Sequence, residues 1–251
     1  MTTATISNIT LGRLPNLREL IIPDPGKTII DMDLDSADLR VVVAEAGEAE
    51  MQKMLDEGKK VYVEVAREYY KDPSFTKNHP KYVTFKSLCH GTNYYGKSRG
   101  LAMQTGLLVH EVERVQQWYF GKFPAIAQWH TTLISNLHRT RSVANRFGFR
   151  RFYFDRIESC YNEAFAWIPQ STVALVINNA LCNICERLPS VDVLLQVHDS
   201  LTMQTDTAYL TERIPLIRTE ASIPIPYNPP LIIPVGFKTS PVSWGACKEY
   251  S

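Results

Sequence analysis

The chain is predicted to be an α+β protein with more helices than strands, and three observations predict it. Apolar runs patterned as strands end in acidic residues at two places, "KTIIDMDLD" around residue 31 and "LLQVHDS" around residue 199. Between them lie long stretches whose apolar residues recur at helical spacing. The 251 residues, 45% hydrophobic and 21% charged, suffice for a large core in one domain or two lobes. With 27 basic and 26 acidic residues the net charge is +1, so the surface as a whole advertises no nucleic-acid partner, although a local basic surface stays open. The five cysteines (Cys89, Cys160, Cys182, Cys185, Cys247) are odd in number and lack the spacing of a disulfide framework. With no signal peptide and no membrane-length apolar run, they point to an intracellular protein with reduced thiols and no membrane contact.

Taken in order, "LIIPDPGKTIIDMDLDSADLRVVVAEAG" predicts a Pro-Gly turn, a strand from Lys27 to Leu34, and a helix entered at Asp35 or Ser36 with Asp38 in its first turn. Helical patterns follow in "EAEMQKMLDEG" and "KVYVEVAREYY", then a polar break in "KDPSFTKNHP". "KYVTFKSLCHGTNYY" predicts one long helix carrying Lys81 and Lys86, and "GLLVHEVERVQQWYFGKFPAIAQWHTTLISNLHRTRSV" predicts further helices divided near Gly121 to Pro124. "NRFGFRRFYF" reads as a hairpin with arginines at its end. "VALVINNALCNICERL" is helical, and no second cysteine or histidine pair follows it. Cys182 and Cys185 are therefore expected as small core residues, not redox or zinc ligands. "VDVLLQVHDSLTMQT" predicts a second hairpin turning at or beside His198 and Asp199, and the Pro-rich tail "IPIPYNPPLIIPVGFKTSPVSWG" contains strand-like runs.

An unpaired buried carboxylate costs several kcal/mol, so Asp199 must be exposed at a turn, paired with a cation or bound to a metal. If the two acidic strands share a sheet, their aspartates face each other at one edge and repel unless a divalent cation lies between them. Hard oxygen donors favour magnesium, and a two-metal site would clamp the attacking and leaving oxygens of a phosphoryl displacement. Either segment taken singly also fits a solvated turn or a helix N-cap.

Three motifs in order resemble the family A, polymerase I type DNA polymerases, especially the bacteriophage members. "PDPGKTIIDMDLDSADLR" resembles the first palm motif, from Asp33 to Arg40; "KSLCHGTNYYG" resembles the fingers-helix motif; "LLQVHDS" resembles the second palm motif. The segments "YFGKFPAIAQWH", "FGFRRFY" and "WIPQSTVALVINNAL" extend the likeness over roughly residues 14 to 245. The resemblance implies a right-hand polymerase palm, an antiparallel sheet with helices, joined to helical fingers. It implies residues 1–75 as the first part of the palm, with a metal motif at 31–40, running into the fingers. Residues 76–130 would be fingers with the nucleotide-binding helix, and 131–251 the second part of the palm, with a metal motif at 196–200, and the C-terminal segment. About 30 residues precede Asp33, so the thumb is expected to be absent. A thumb- or exonuclease-bearing partner polypeptide would then supply the missing part, or the chain would grip DNA weakly.

Residue by residue, the resemblance makes Asp33 and Asp199 the catalytic, metal-binding aspartates, with the carbonyl of Leu34 completing one shell. Two Mg2+ ions, which Mn2+ can replace, are the implied cofactors. Lys86 would meet the triphosphate of the incoming dNTP, His90 would lie near its sugar and triphosphate, and Tyr94 would close over the nascent base pair. Asp38 stands where the family usually has a glutamate that selects the deoxy sugar. Gln170 would touch template or primer and His198 the primer 3′ end, while Arg150 and Arg151 are either phosphate contacts or a solvated surface pair. Ser200 replaces a frequent glutamate, Tyr82 stands at an arginine position with Lys81 beside it, Tyr95 stands where glycine is usual, and Ala166 replaces an asparagine. The implied activity is DNA-directed DNA polymerisation on primer-template DNA in viral replication, in a bacterial host's cytoplasm if phage-encoded. The other class is a polymerase-like subunit of a split polymerase, or a non-catalytic DNA-binding scaffold.

Overall fold

The computed structural model describes residues 16–250. In chain order the elements are β1 (Lys27–Leu34), α1 (Ala37–Ala46), α2 (Ala49–Asp56), α3 (Val61–Tyr70), α4 (Tyr82–Asn93), α5 (Ser98–Thr105), α6 (Val109–Lys122), α7 (Pro124–Thr140), β2 (Ser142–Ala144), β3 (Arg150–Phe152), α8 (Tyr161–Arg187), β4 (Asp192–Val197), β5 (Ser200–Asp206), α9 (Leu210–Ala221), β6 (Val235–Ser240) and β7 (Lys248–Glu249). The class is α+β, as expected. Two compact units divide the chain. The first joins residues up to Asp35 with Val176–Ile223 and the stretch from Ile232 onward; the second joins Ser36–Leu175 with Pro224–Leu231.

The first unit is built on an antiparallel sheet in the order β4-β5-β1-β6-β7. Its central strand β1 has the predicted bounds and buries Ile29, Ile30, Met32 and Leu34. β5 is buried from Leu201 to Thr205, with α9 against β5 and β6. The β4–β5 hairpin turns at His198 and Asp199, and His198 takes a left-handed φ of 54°, a sign that the primed hairpin turns require. At the opposite end of β1, Lys27 pairs with Asp192, and Gln204 Nε2 donates to Asp24 at 2.7 Å. These polar ties fix a register that hydrophobic burial alone would leave free to slide by two.

Two expectations need correction here. The "LLQV" run, whose apolar pattern is that of a buried strand, instead forms β4 at the sheet edge, where Leu194 and Leu195 are 36% and 37% exposed. Cys182 and Cys185 do lie on a helix, α8, but both are exposed, because Ile177, Ala180 and Ile184 take its inward stripe.

The second unit holds α1 to α7, the first half of α8 and the β2–β3 hairpin, around a core rich in aromatics that includes Phe75, Phe85, Tyr119, Phe123 and Phe165. On α4, Phe85, Leu88, Cys89 and Thr92 form the buried stripe, which leaves Lys86 on the exposed side. The helix is shorter than predicted, ending at Asn93, and Tyr95 adopts a left-handed φ of 61°. α6 and α7 divide at Phe123, with Pro124 at the first helical position, where its missing N–H has no cost. α5 is not predicted by apolar spacing, since only Leu101 and Ala102 of its eight residues are buried.

Candidate active site

In the first unit, strand alternation puts Asp31 and Asp33 on one face of β1. Asp33 stands opposite Ser200 on β5 and Gly236 on β6, and Asp31 stands opposite Thr202 and Lys238. Asp199 immediately precedes Ser200 in the hairpin turn, and its main-chain carbonyl accepts the Leu34 N–H at 3.1 Å. The ladder therefore carries both carboxylates to one end of the sheet. Partial desolvation first, then the charges of Asp199 and Asp31, push the Asp33 carboxyl up to about 6; Lys238 opposes them. The Asp31 carboxyl is also raised, chiefly by burial. An added Cβ at Gly236 would meet nothing within 4 Å, so open space lies beside Asp33. The Ser200 hydroxyl is turned to the hairpin, donating to Val197 O at 2.8 Å.

Crowded carboxylates that resist ionisation are what a hard divalent cation relieves, so the donors present fit such an ion. Asp33, Asp199 and the main-chain oxygen of Leu34 are the groups that could hold it. Among the described residues, no three His, Cys, Asp or Glu side chains are gathered as a cage. Other positions of such a shell would fall to substrate and water.

In the second unit, α4 carries Lys86 and His90 one turn apart, with Tyr94 just past its end. Lys86 is exposed and has no ion-pair partner among the described residues. The rings of His90 and Tyr94 meet edge to face at 4.4 Å, and burial, the largest influence, lowers the His90 pKa. The Tyr94 hydroxyl donates to Asp38 Oδ2 at 2.7 Å, tying the end of α4 to the first turn of α1. Burial and then the Asp38 charge hold that phenol far above the usual tyrosine range. Lys81 is exposed, and its ammonium sits 5.0 Å over the Tyr70 ring.

The other predicted residues are dispersed. His198 is exposed at the hairpin turn of the first unit, and Gln170 is exposed on α8 after Pro169 in the second. Arg150 and Arg151 are exposed on β3, where Arg150 Nη1 donates to the Ser142 hydroxyl at 3.0 Å and Arg151 is ion-paired with Glu163. Sequence reasoning placed Asp31 in the acidic strand end but gave it no role of its own, and it missed Lys238, whose signal was a charge within a strand-like run. It also missed a polar set, the buried Asn93, Tyr119 and His130 with the half-buried Gln116, for which helical periodicity gave no signal.

With this geometry in hand, comparisons with known proteins are specific. The family model described as DNA polymerase family A matches residues 4–239. The thermostable DNA polymerase I of Thermus filiformis is 24% identical over 230 residues, covering 88% of this chain and 28% of that protein. The DNA polymerase of Mycobacterium phage D29 is 25% identical over 201 residues, covering 78% of this chain and 32% of that protein. The chain thus spans about a third of the length of these curated relatives. Among solved structures, the POL domain of Pol1 from M. smegmatis, in complex with DNA primer-template and dNTP, matches at a TM-score of 0.80 and 20% identity. That match covers 92% of this chain and 42% of the other, and shows a shared fold.

Proposed function

The chain belongs to DNA polymerase family A, and from that premise we propose that it is a DNA-directed DNA polymerase, adding dNMP from dNTP to a primer 3′-OH opposite a template. The observation that carries the reading is the meeting of Asp33 and Asp199 at one end of the sheet, two acids with raised charge density and open space beside them. Asp33, Asp199 and the Leu34 carbonyl would hold two Mg2+ ions, with Mn2+ as a substitute. When bound, these ions supply Lewis-acid activation of the 3′-OH and neutralise charge on the leaving pyrophosphate.

The chain's own residues do the rest. Lys86, an exposed cation free of carboxylate partners among the described residues, offsets charge on the triphosphate. His90 lines the sugar and triphosphate, and Tyr94 offers its ring to the nascent base pair while Asp38 fixes its hydroxyl. Asp38 limits room at the sugar 2′ position. Gln170 and His198, both exposed, contact template and primer; Arg150, without a carboxylate partner among the described residues, meets a backbone phosphate, and Arg151 does so on exchanging Glu163 for it. The first unit corresponds to palm and most of the second to fingers. DNA replication is the setting, with viral replication favoured by the phage relative. No helix among the described residues is long and apolar enough to cross a membrane, in keeping with an intracellular polymerase.

Primer extension with Mg2+ tests the reading. Wild type should extend a primer and Asp199→Asn should not. Absence of extension by wild type, alone and with a thumb- or exonuclease-bearing polypeptide added, would instead support a non-catalytic DNA-binding scaffold.

A further inference from the structure

We propose that Gln116, Tyr119 and His130 are positioning residues that act through the last turn of α4 to set Tyr94: Tyr119 and His130 hold Asn93, and Gln116 holds Thr92 and Gly96 on either side of it. The inference deepens the polymerase reading, on which its nucleotide-binding consequence rests. An α-helix leaves its final carbonyls without intrahelical donors, and the usual remedy is a glycine in the left-handed conformation just past the end. Here that conformation falls on Tyr95, whose Cβ makes it costly. Backbone bonds close part of the turn, from Tyr95 N to Thr92 O at 3.0 Å and from Gly96 N to Gly91 O at 2.7 Å.

Neighbouring helices supply what remains. From α6, Gln116 Nε2 donates to Gly96 O at 2.8 Å and to Thr92 Oγ1 at 3.2 Å. One turn further on α6, the Tyr119 hydroxyl donates to Asn93 Oδ1 at 2.9 Å. From α7, His130 Nε2 lies 3.0 Å from the main-chain carbonyl of Asn93, an acceptor, so the ring must be the donor. Burial holds the His130 pKa down at about 4, which keeps the ring neutral with its proton on Nε2. The ring is wedged against Phe165 at 4.6 Å and Tyr95 at 5.4 Å, so it cannot swing away without disturbing the core. Four side-chain hydrogen bonds from two helices thus converge on residues 92–96.

This set is not arranged for stability. Asn93 is 1% exposed, and its Nδ2 and the buried Tyr62 hydroxyl sense each other without forming a well-shaped hydrogen bond among the described residues. An apolar residue at 93 together with a phenylalanine at 119 would avoid burying these imperfectly satisfied groups. Directional polar contacts in a core specify one geometry more than they add stability. The geometry specified here is that of residue 94: with the turn fixed, its ring stands against His90 and its hydroxyl reaches Asp38.

Hydrogen–deuterium exchange on the full chain tests the inference without reference to activity. Tyr119→Phe, which loses one hydroxyl, and Asn93→Leu should each speed exchange at the amides of Tyr94, Tyr95 and Gly96 by about tenfold, with exchange elsewhere unchanged. Asn93→Leu strands the buried Tyr119 hydroxyl and should melt below wild type, whereas Asn93→Leu with Tyr119→Phe should recover most of that loss while exchange at residues 94–96 stays fast. His130→Leu should also speed exchange at these amides, and His130→Gln, which keeps an N–H donor, should restore protection. In steady-state incorporation, KM for dNTP should rise about tenfold while kcat changes less than about twofold. Unchanged exchange at residues 94–96 in all variants would overturn the inference. Faster exchange there in a chain whose wild type incorporates no nucleotide would uphold the positioning of Tyr94 and overturn the polymerase reading.

Discussion

Tyr94 and Asp38, 56 residues apart in sequence, share one hydrogen bond of 2.7 Å that locks the end of α4 to the start of α1. Because its acceptor is a carboxylate in a part-buried setting, the bond should exceed an ordinary neutral one. A double-mutant cycle of Tyr94→Phe and Asp38→Asn, read by urea unfolding, should give a coupling of about 1 to 2 kcal/mol. Additive effects would mean that the bond does not persist in solution.

Asp38 has a second expected consequence. Removing its carboxylate opens the space assigned to the sugar 2′ position, so Asp38→Ala should reduce the preference for dNTP over rNTP by about tenfold or more. Single-nucleotide incorporation with both substrates measures it. Equal discrimination by wild type and variant would sink the idea.

The Asp33 carboxyl, held at about 6 against an ordinary 3.8, predicts a pH dependence of stability. Between those values the folded chain binds a proton that the unfolded chain has released. Stability from this group is therefore full below about 4 and is lost as pH rises through about 6. Asp33→Asn, uncharged throughout, should melt at a higher temperature than wild type at pH 7 in EDTA, with the advantage gone near pH 4. Added Mg2+ should narrow the gap by raising wild type alone. Melting curves that run parallel at every pH would contradict the charge crowding.

The same crowding links Asp199 to Asp33, since Asp199 is the largest charge acting on that carboxyl after desolvation. Asp199→Asn should lower the Asp33 pKa toward the ordinary range, which carbon-detected NMR titration of the aspartate side chains can follow. An unmoved titration would mean that the two acids do not sense each other.

Lys86 separates function from folding. It is exposed and without an ion pair among the described residues, so Lys86→Ala should change stability by less than about 0.5 kcal/mol. If it serves the triphosphate, kcat/KM for dNTP should fall by about a hundredfold or more. A large loss of thermal stability would show a structural role instead.

Much of the first unit was legible in the sequence because its signals are local. A Pro-Gly turn and a helix entry bracket β1, and a short polar break between apolar runs marks the β4–β5 turn, so the meeting of Asp33 with Asp199 follows once both strands share a sheet. Partners remote in sequence were not legible. Nothing in "LLQV" distinguishes an edge strand from a central one, because strand period is the same in both. The neutralising Glu163 beside Arg151 and the glutamine, tyrosine and histidine around Asn93 come from other elements, and no spacing rule brings them together. The early end of α4 was hidden for a chemical reason: a tyrosine occupies the left-handed position where a glycine would have marked the stop.

Gly236 gives the first unit a steric handle. It faces Asp33 across the β1–β6 ladder, and the volume its absent side chain leaves is open. Bulk introduced there, as in Gly236→Val, would enter the same face as the Asp33 carboxylate while altering no charge. If the proposed chemistry takes place at Asp33, crowding at residue 236 alone should silence it and leave a folded, electrostatically intact decoy of the wild-type chain.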